Sequence, residues 1–144
     1  MTSNFQPSAL SAQAPSGHSS TDFEAQITAL WVFPVKSCAG ISVPHAVLTP
    51  TGLAHDRAWM VVDAEGEMLT QRELPRMALI QPELVYVDEV LTELVLRASG
   101  MAALHVSATT EQTNSRSPIK VHVWSDPVSA FDMGAPAIDW LTAF

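Results

Sequence analysis

The sequence predicts a mostly β protein: a small antiparallel β-barrel with one C-terminal helix and a disordered N-terminal tail. Three observations carry that expectation. Short runs rich in β-branched and aromatic residues, about eight of them, recur at close spacing between Gly, Pro, Asp and Ser turn signals. Helical periodicity with a start signal occurs once, at the C-terminal end. Residues 1–22 are dominated by Ser, Ala, Gln, Gly and Pro and show no apolar period, so they cannot offset the entropy of being ordered. The expected organisation is therefore a flexible tail over 1–22 and one domain over 23–144, its strands closed into a barrel because closure hides sheet edges.

The elements follow in order. Gln26 to Val35 reads as a strand that Pro34 bends or ends, and Ser42 to Leu48 as a second strand, placed at an edge by Pro44. Pro50 and Gly52 mark a turn before Ala58 to Val62, an apolar run expected in the core. Asp63-Ala64-Glu65-Gly66 separates that run from Met68-Leu69-Thr70, which predicts a hairpin with antiparallel pairing. Glu83–Val87, Glu93–Arg97, Ala103–Val106 and Ile119–Trp124 supply further strands, and the polar stretch from Thr109 to Pro118 reads as a long surface loop. Pro136 stands near the start of a helix on which Ala137, Ile138, Leu141 and Phe144 share a face. That helix reaches Phe144 with neither a glycine cap nor a closing basic residue, which leads us to expect that the natural polypeptide continues.

Composition narrows the function classes. An apolar share of 47% with 15% charged residues describes a globular chain, and 144 residues can bury a real core without disulfides or metal. Fifteen acids against seven bases give a net charge of -8, which repels nucleic-acid phosphates and anionic membrane surfaces. No apolar stretch approaches the ~20 residues of a spanning helix, and no basic residue precedes Lys36 to form a secretory n-region. A cytoplasmic location is expected, with neither a nucleic acid nor a membrane as partner. A Gly-rich phosphate loop, a nucleophile elbow and a Ser-His-Asp order are all missing, so an independent NTPase or hydrolase is not expected.

Four of the seven basic residues, Lys36, Arg57, Arg72 and Arg76, fall in apolar or turn-like sequence between positions 36 and 76. Lys36 and Ser37 follow a strand-ending Pro34-Val35, so a cation, a hydroxyl and free backbone N–H groups leave the fold together, which suits an anion. Arg57 and Arg72 would each add a planar fork able to grip a phosphate. Local pairing is the competing reading, with Asp56, Asp63 or Glu73 as partners, and charge placement alone favours it, since an arginine beside a strand end most often pairs with a nearby carboxylate. Cys38 reads as a buried apolar residue, a reactive thiol near Lys36 or a metal ligand, burial being favoured. One cysteine cannot hold an iron–sulfur cluster, and the five histidines show no ligand spacing on a helix. His55-Asp56 is a weak acid–base candidate.

Four segments in order carry a resemblance. They are Ile27–Gly40 with its Pro34-Val35-Lys36-Ser37-Cys38, Gly52–Met60 with its His55-Asp56-Arg57, Asp63–Gly66, and Leu69-Thr70-Gln71-Arg72. Together with Pro75–Ile80, Val123–Asp126, Gly134 and Trp140, they closely resemble the N-terminal β-barrel domain of the MOSC family, of the molybdenum cofactor sulfurase and amidoxime-reducing type. The resemblance implies a domain packed against a downstream MOSC domain, with the molybdenum cofactor (molybdopterin) shared between them in an oxidoreductase. It implies Lys36, Ser37 and Arg57 as contacts to the pterin and its phosphate, and Arg72 as a neighbour. The molybdenum-ligating cysteine of the family belongs to the second domain and is not Cys38, so this chain by itself is expected to be non-catalytic and to hold no metal. The alternative from a different class is a non-catalytic protein-interaction β-barrel module, in which Lys36 and Arg57 form structural ion pairs. A transferase acting through Cys38 is the third and least favoured.

Overall fold

A proline that cannot donate a ladder hydrogen bond cuts the first strand short. In the computed structural model, which describes residues 25–109, 111 and 115–144, β1 spans only Leu30–Val32 and stops before Pro34. It pairs antiparallel with β2 (Ile41–Val43), with Trp31 opposite Ser42. β3 (Leu48–Thr49) and β4 (Gly52–Leu53) form a minimal hairpin around Pro50-Thr51, held by the Thr49 hydroxyl donating to the Gly52 carbonyl at 2.7 Å. β5 (Gln81–Val87), β6 (Val90–Arg97) and β7 (Leu104–Ser107) make an antiparallel meander. Its first turn, Asp88-Glu89, places both residues at positive φ, the geometry that matches strand twist in a two-residue hairpin. β8 (Pro118–Val123) and β9 (Asp126–Phe131) pair across Trp124-Ser125, and α1 (Ala135–Ala143) follows Gly134.

The mostly antiparallel β class with one C-terminal helix is as expected from the sequence. Among the described residues, however, the strands form four separate small sheets and do not close into a barrel. Prolines at 34, 44, 50, 118 and 127 and frequent turns keep most ladders at two to six residues, too short to run continuously around a cylinder. Two local expectations change as well, and two elements appear that the sequence did not predict. The Ser42 to Leu48 run is not one strand but is divided between β2 and β3, with Pro44 to Val47 in neither. Ala58 to Val62 is not a core strand: it makes only isolated bridges, Trp59 with Val35 in parallel and Val62 with Met68 antiparallel, and Trp59–Val62 is half-buried. Pro75–Leu79 folds as a 3-10 turn that buries Met77. Asp126–Phe131 is a strand that its exposed, proline-containing sequence did not announce. The tail at 1–22 and part of the polar stretch after Thr109 lie outside the described residues.

The core sits under the meander. Leu94, Val95 and Leu96 are consecutive and all buried, so β6 is covered on both faces. Leu94 and Leu96 pack with Ile80, Leu104, Val106, Met77, Val35 and Cys38, each large aliphatic contributing about 1.5–3 kcal/mol by burial. α1 closes one side of this core. Trp140 donates its indole N–H to the Ala102 carbonyl at 2.7 Å and stacks on Phe144, over which the Arg76 guanidinium lies 4.8 Å from the ring centre. No helix among the described residues is long and apolar enough to cross a membrane.

Candidate anion-binding site

Backbone pairing brings together two segments some twenty residues apart. The Arg57 N–H donates to the Phe33 carbonyl at 2.7 Å, the Trp59 N–H to Pro34 at 3.0 Å, and the Lys36 N–H to Trp59 at 2.9 Å. Phe33 to Lys36 therefore lies alongside Arg57 to Trp59. The hairpin expected at Asp63–Gly66 then turns the chain back. The Gly66 N–H donates to the Asp63 carbonyl at 3.1 Å, Asp63 Oδ1 accepts from Glu65 and Glu67, and Gly66 takes φ +83. Leu69 N–H then bonds Val61 at 2.9 Å, which carries Met68 and Thr70 to the same place. There Thr70 closes a turn with Glu73, whose carboxylate accepts from the Thr70 N–H and hydroxyl, each at 3.2 Å, and Gln71 and Arg72 stand exposed at its corner. Finally the His122 N–H bonds the Gly66 carbonyl at 2.8 Å, laying β8 beside this hairpin and delivering Trp124 two residues further on.

The result is an open cleft of about 280 Å³ lined by all four predicted site residues, Lys36, Ser37, Arg57 and Arg72. Thr70 and Gln71 contribute to its wall, as do Phe33, Cys38, Met68 and Trp124. No carboxylate lines it, although the chain carries a net charge of -8. Arg76 does not join the cleft; it caps the aromatic pair of α1. Sequence reasoning did not single out Phe33, Thr70 or Trp124. Trp124 was expected to end the strand begun at Ile119, but β8 stops at Val123, and the turn formers Ser125-Asp126-Pro127 are the signal that would have placed Trp124 in the turn.

Both sequence readings of Arg57 meet here. Its guanidinium bonds Asp56 Oδ2, while Asp56 Oδ1 accepts the Phe33 N–H at 2.8 Å. It also lies over the Phe33 ring, 5.7 Å from the centre. The arm is thus held from behind, yet its side chain remains 57% exposed and lines the cleft. Asp63 and Glu73 are used by their own turns rather than by arginine. Among the described residues, neither Lys36 nor Arg72 forms an ion pair.

Three of the cleft residues, Ser37, Arg57 and Trp124, take φ of +68, +54 and +59. A non-glycine residue in this left-handed region costs roughly 1–2 kcal/mol, and such strain tends to collect at ligand sites. Next to the cleft, and sharing Met68, Thr70 and Trp124 with it, lies a second hollow that carries Glu67 and Glu73. Trp124 therefore stands between a basic and an acidic wall.

The donor set suits an anion. Three cations, the Ser37 hydroxyl and the Gln71 amide can satisfy phosphate oxygens, the Thr70 hydroxyl being committed to Glu73, whereas no group of three His, Cys, Asp or Glu able to hold a metal occurs among the described residues. Cys38 is buried, and burial pushes its thiol up to about 11, so it is protonated at neutral pH and unsuited to nucleophilic attack. His55 does not form an acid–base pair with Asp56; its ring packs edge-on against Tyr86, 6.1 Å between centres.

The family model described as the MOSC N-terminal beta barrel domain matches residues 24–144. The chain belongs to that family. It is 36% identical over 119 residues to the human molybdenum cofactor sulfurase, an alignment covering 82% of this chain and 13% of that protein. The zebrafish (Danio rerio) molybdenum cofactor sulfurase is 37% identical over 120 residues, 82% of this chain and 14% of that protein. To the mouse mitochondrial amidoxime-reducing component 1 it is 35% identical over 122 residues, again 82% of this chain but 34% of the relative. The chain thus spans about a third or less of the curated relatives it matches.

Proposed function

We propose that this domain positions the molybdenum cofactor of an oxidoreductase by holding the phosphate and pterin side of the cofactor, the molybdenum being held by a downstream MOSC domain. One observation supports it above the others: Lys36, Ser37, Arg57 and Arg72 are spread over 37 positions yet line one cleft that holds no acid. Names of the relatives refer to the molybdenum cofactor and to amidoxime reduction. The cofactor would supply redox chemistry at the metal; the domain's own residues bind and orient. Arg57, braced by Asp56, offers a pre-set fork, Lys36 a point charge, and Ser37 a hydroxyl on a backbone already committed to its conformation. By itself the domain is non-catalytic.

The domain organisation follows from the same proposal: a tail over 1–22, the barrel-family domain over 23–144, and a MOSC domain after it in a cytoplasmic protein. A net charge of -8 disfavours nucleic acid and anionic membranes as partners. The interaction-module reading has an observation of its own. Trp31, Val47, Leu48, Leu79 and Ile138 are each large, apolar and exposed, and packing against another domain would remove such side chains from water. The two readings are compatible if the partner is the downstream domain.

Titration of the chain with inorganic pyrophosphate, followed by NMR, tests the site. Shifts confined to residues around 36, 57 and 72 are expected, and shifts scattered over the surface overturn it. In a protein where a MOSC domain follows, Lys36→Ala with Arg57→Ala should abolish cofactor retention. Full retention in that double variant ends the proposal.

A further inference from the structure

We infer that Trp124 is a stacking wall for a planar heteroaromatic ring carried by the phosphate-bearing ligand, so that the cleft distinguishes a ring-bearing phosphate from a bare one. This rests on the proposed anion site and adds to it a second recognition element.

Three features of Trp124 are hard to explain by folding alone. It occupies a two-residue hairpin turn between Val123 and Asp126 at φ +59, where glycine, asparagine or aspartate is preferred. Its side chain remains 64% exposed, so burial gives little return for the backbone strain. And it lines the same cleft as Lys36, Arg57 and Arg72, while also walling the adjacent hollow of about 570 Å³. The basic cleft, at about 280 Å³, is several times the ~30 Å³ share of one water, more than a bare phosphate fills. A ligand with its phosphate on the cations therefore projects its remaining atoms along the indole towards the roomier side.

The chemistry of the surrounding side chains fits a ring there. Phe33, the other aromatic of the cleft, is already covered on one side by the Arg57 guanidinium. Trp124 has no ring or cation partner among the described residues, which leaves its face available. The acidic wall beyond it, Glu67 and Glu73, is engaged through one oxygen each, by His122 and by Thr70, and the second oxygen of each can accept from ring N–H and amino groups, so the preferred ring is an amino-substituted nitrogen heterocycle. Neither carboxylate is needed for the stack itself.

The experiment compares two probes on the same chain, inorganic pyrophosphate and 6-hydroxymethylpterin pyrophosphate, by calorimetry and by the Trp124 indole N–H resonance. The wild-type chain should bind the pterin probe about tenfold more tightly than pyrophosphate, the scale of one aromatic stack. It should also shift the Trp124 indole signal only with the pterin probe. Trp124→Asn relieves the turn, because asparagine tolerates positive φ, and should erase the tenfold preference, so that the variant binds the two probes equally. Trp124→Phe should keep most of the preference. Equal binding of the pterin probe by Trp124→Asn and wild type overturns the inference while the anion site stands. A parallel loss of both probes assigns Trp124 to shaping the cleft and overturns it too. If wild type binds neither probe, the anion site falls and this inference with it.

Discussion

Arg57→Ala separates an anion-binding arginine from a structural one, because the two roles predict opposite patterns of loss. Its pair with Asp56 is an exposed one, with side chains 57% and 21% accessible, and such pairs contribute about 0–1 kcal/mol. Its position over Phe33, 5.7 Å from the ring centre, adds at most a similar amount at an exposed site. Removing the side chain should therefore lower stability by about 1 kcal/mol, or ~4 °C in Tm for a domain of this size. A charge-assisted contact to phosphate is larger, about 1.5–3 kcal/mol, so pyrophosphate affinity should fall roughly 10- to 150-fold. Thermal melts and calorimetry at low salt read both quantities from one preparation, and raising the ionic strength should shrink the binding difference by screening. Asp56→Asn is the companion: it keeps an acceptor for the Phe33 N–H but turns an amide N–H towards the guanidinium, so the brace on Arg57 is lost and pyrophosphate should bind more weakly, by less than in Arg57→Ala. A fall in Tm well beyond 4 °C with unchanged pyrophosphate affinity would refute the reasoning and return Arg57 to a purely local role.

Other consequences test the scaffold around the cleft. Ile80→Ala removes a side chain with no exposed surface from the centre of the core and should cost about 2–5 kcal/mol in denaturant unfolding. Gly66→Ala places a Cβ at φ +83, 3.3 Å from the Lys120 carbonyl, and should cost about 1–2 kcal/mol by the same measurement while loosening the β8 attachment. The Cys38 thiol, raised from 9.0 to about 11 by burial, holds its proton more firmly in the fold than in the unfolded chain. Unfolding therefore releases a proton above pH 9, and stability should decline as pH rises from 9 towards 11. Cys38→Ala should lack that part of the slope in urea titrations at pH 8 and 10.5. At neutral pH, alkylation of the native thiol should be far slower than in the unfolded chain, as mass spectrometry of iodoacetamide adducts will show.

Local chemistry made part of this molecule legible without coordinates. Asp63-Ala64-Glu65-Gly66 specifies its own turn, since an aspartate that can accept from the next residues and a glycine free to take positive φ are sufficient. Pro34 ends β1 whatever surrounds it, because the missing N–H is covalent. The strong β run Glu93–Arg97, which the structure extends back to Val90, and the amphipathic α1 likewise declare themselves. Asp126–Phe131 did not, because most of its side chains are exposed and one is proline, so its strand exists only through pairing with β8. The Ala58–Val62 run misled in the opposite sense: it is apolar, but its partners reach it as single bridges rather than as a ladder.

The cationic residues and their types were present in the sequence, as were the family likeness, the net acidity and the absence of an internal metal-ligand motif. Whether Lys36, Arg57 and Arg72 share a space was decided only by tertiary structure, since that depends on the parallel bridge of Val35 with Trp59 and on the hairpin that returns Thr70. The same is true of Trp124, which enters the cleft because a backbone hydrogen bond from His122 to Gly66 fixes the course of β8. Sequence sets what each side chain can bind; long-range backbone pairing sets which side chains can bind the same thing.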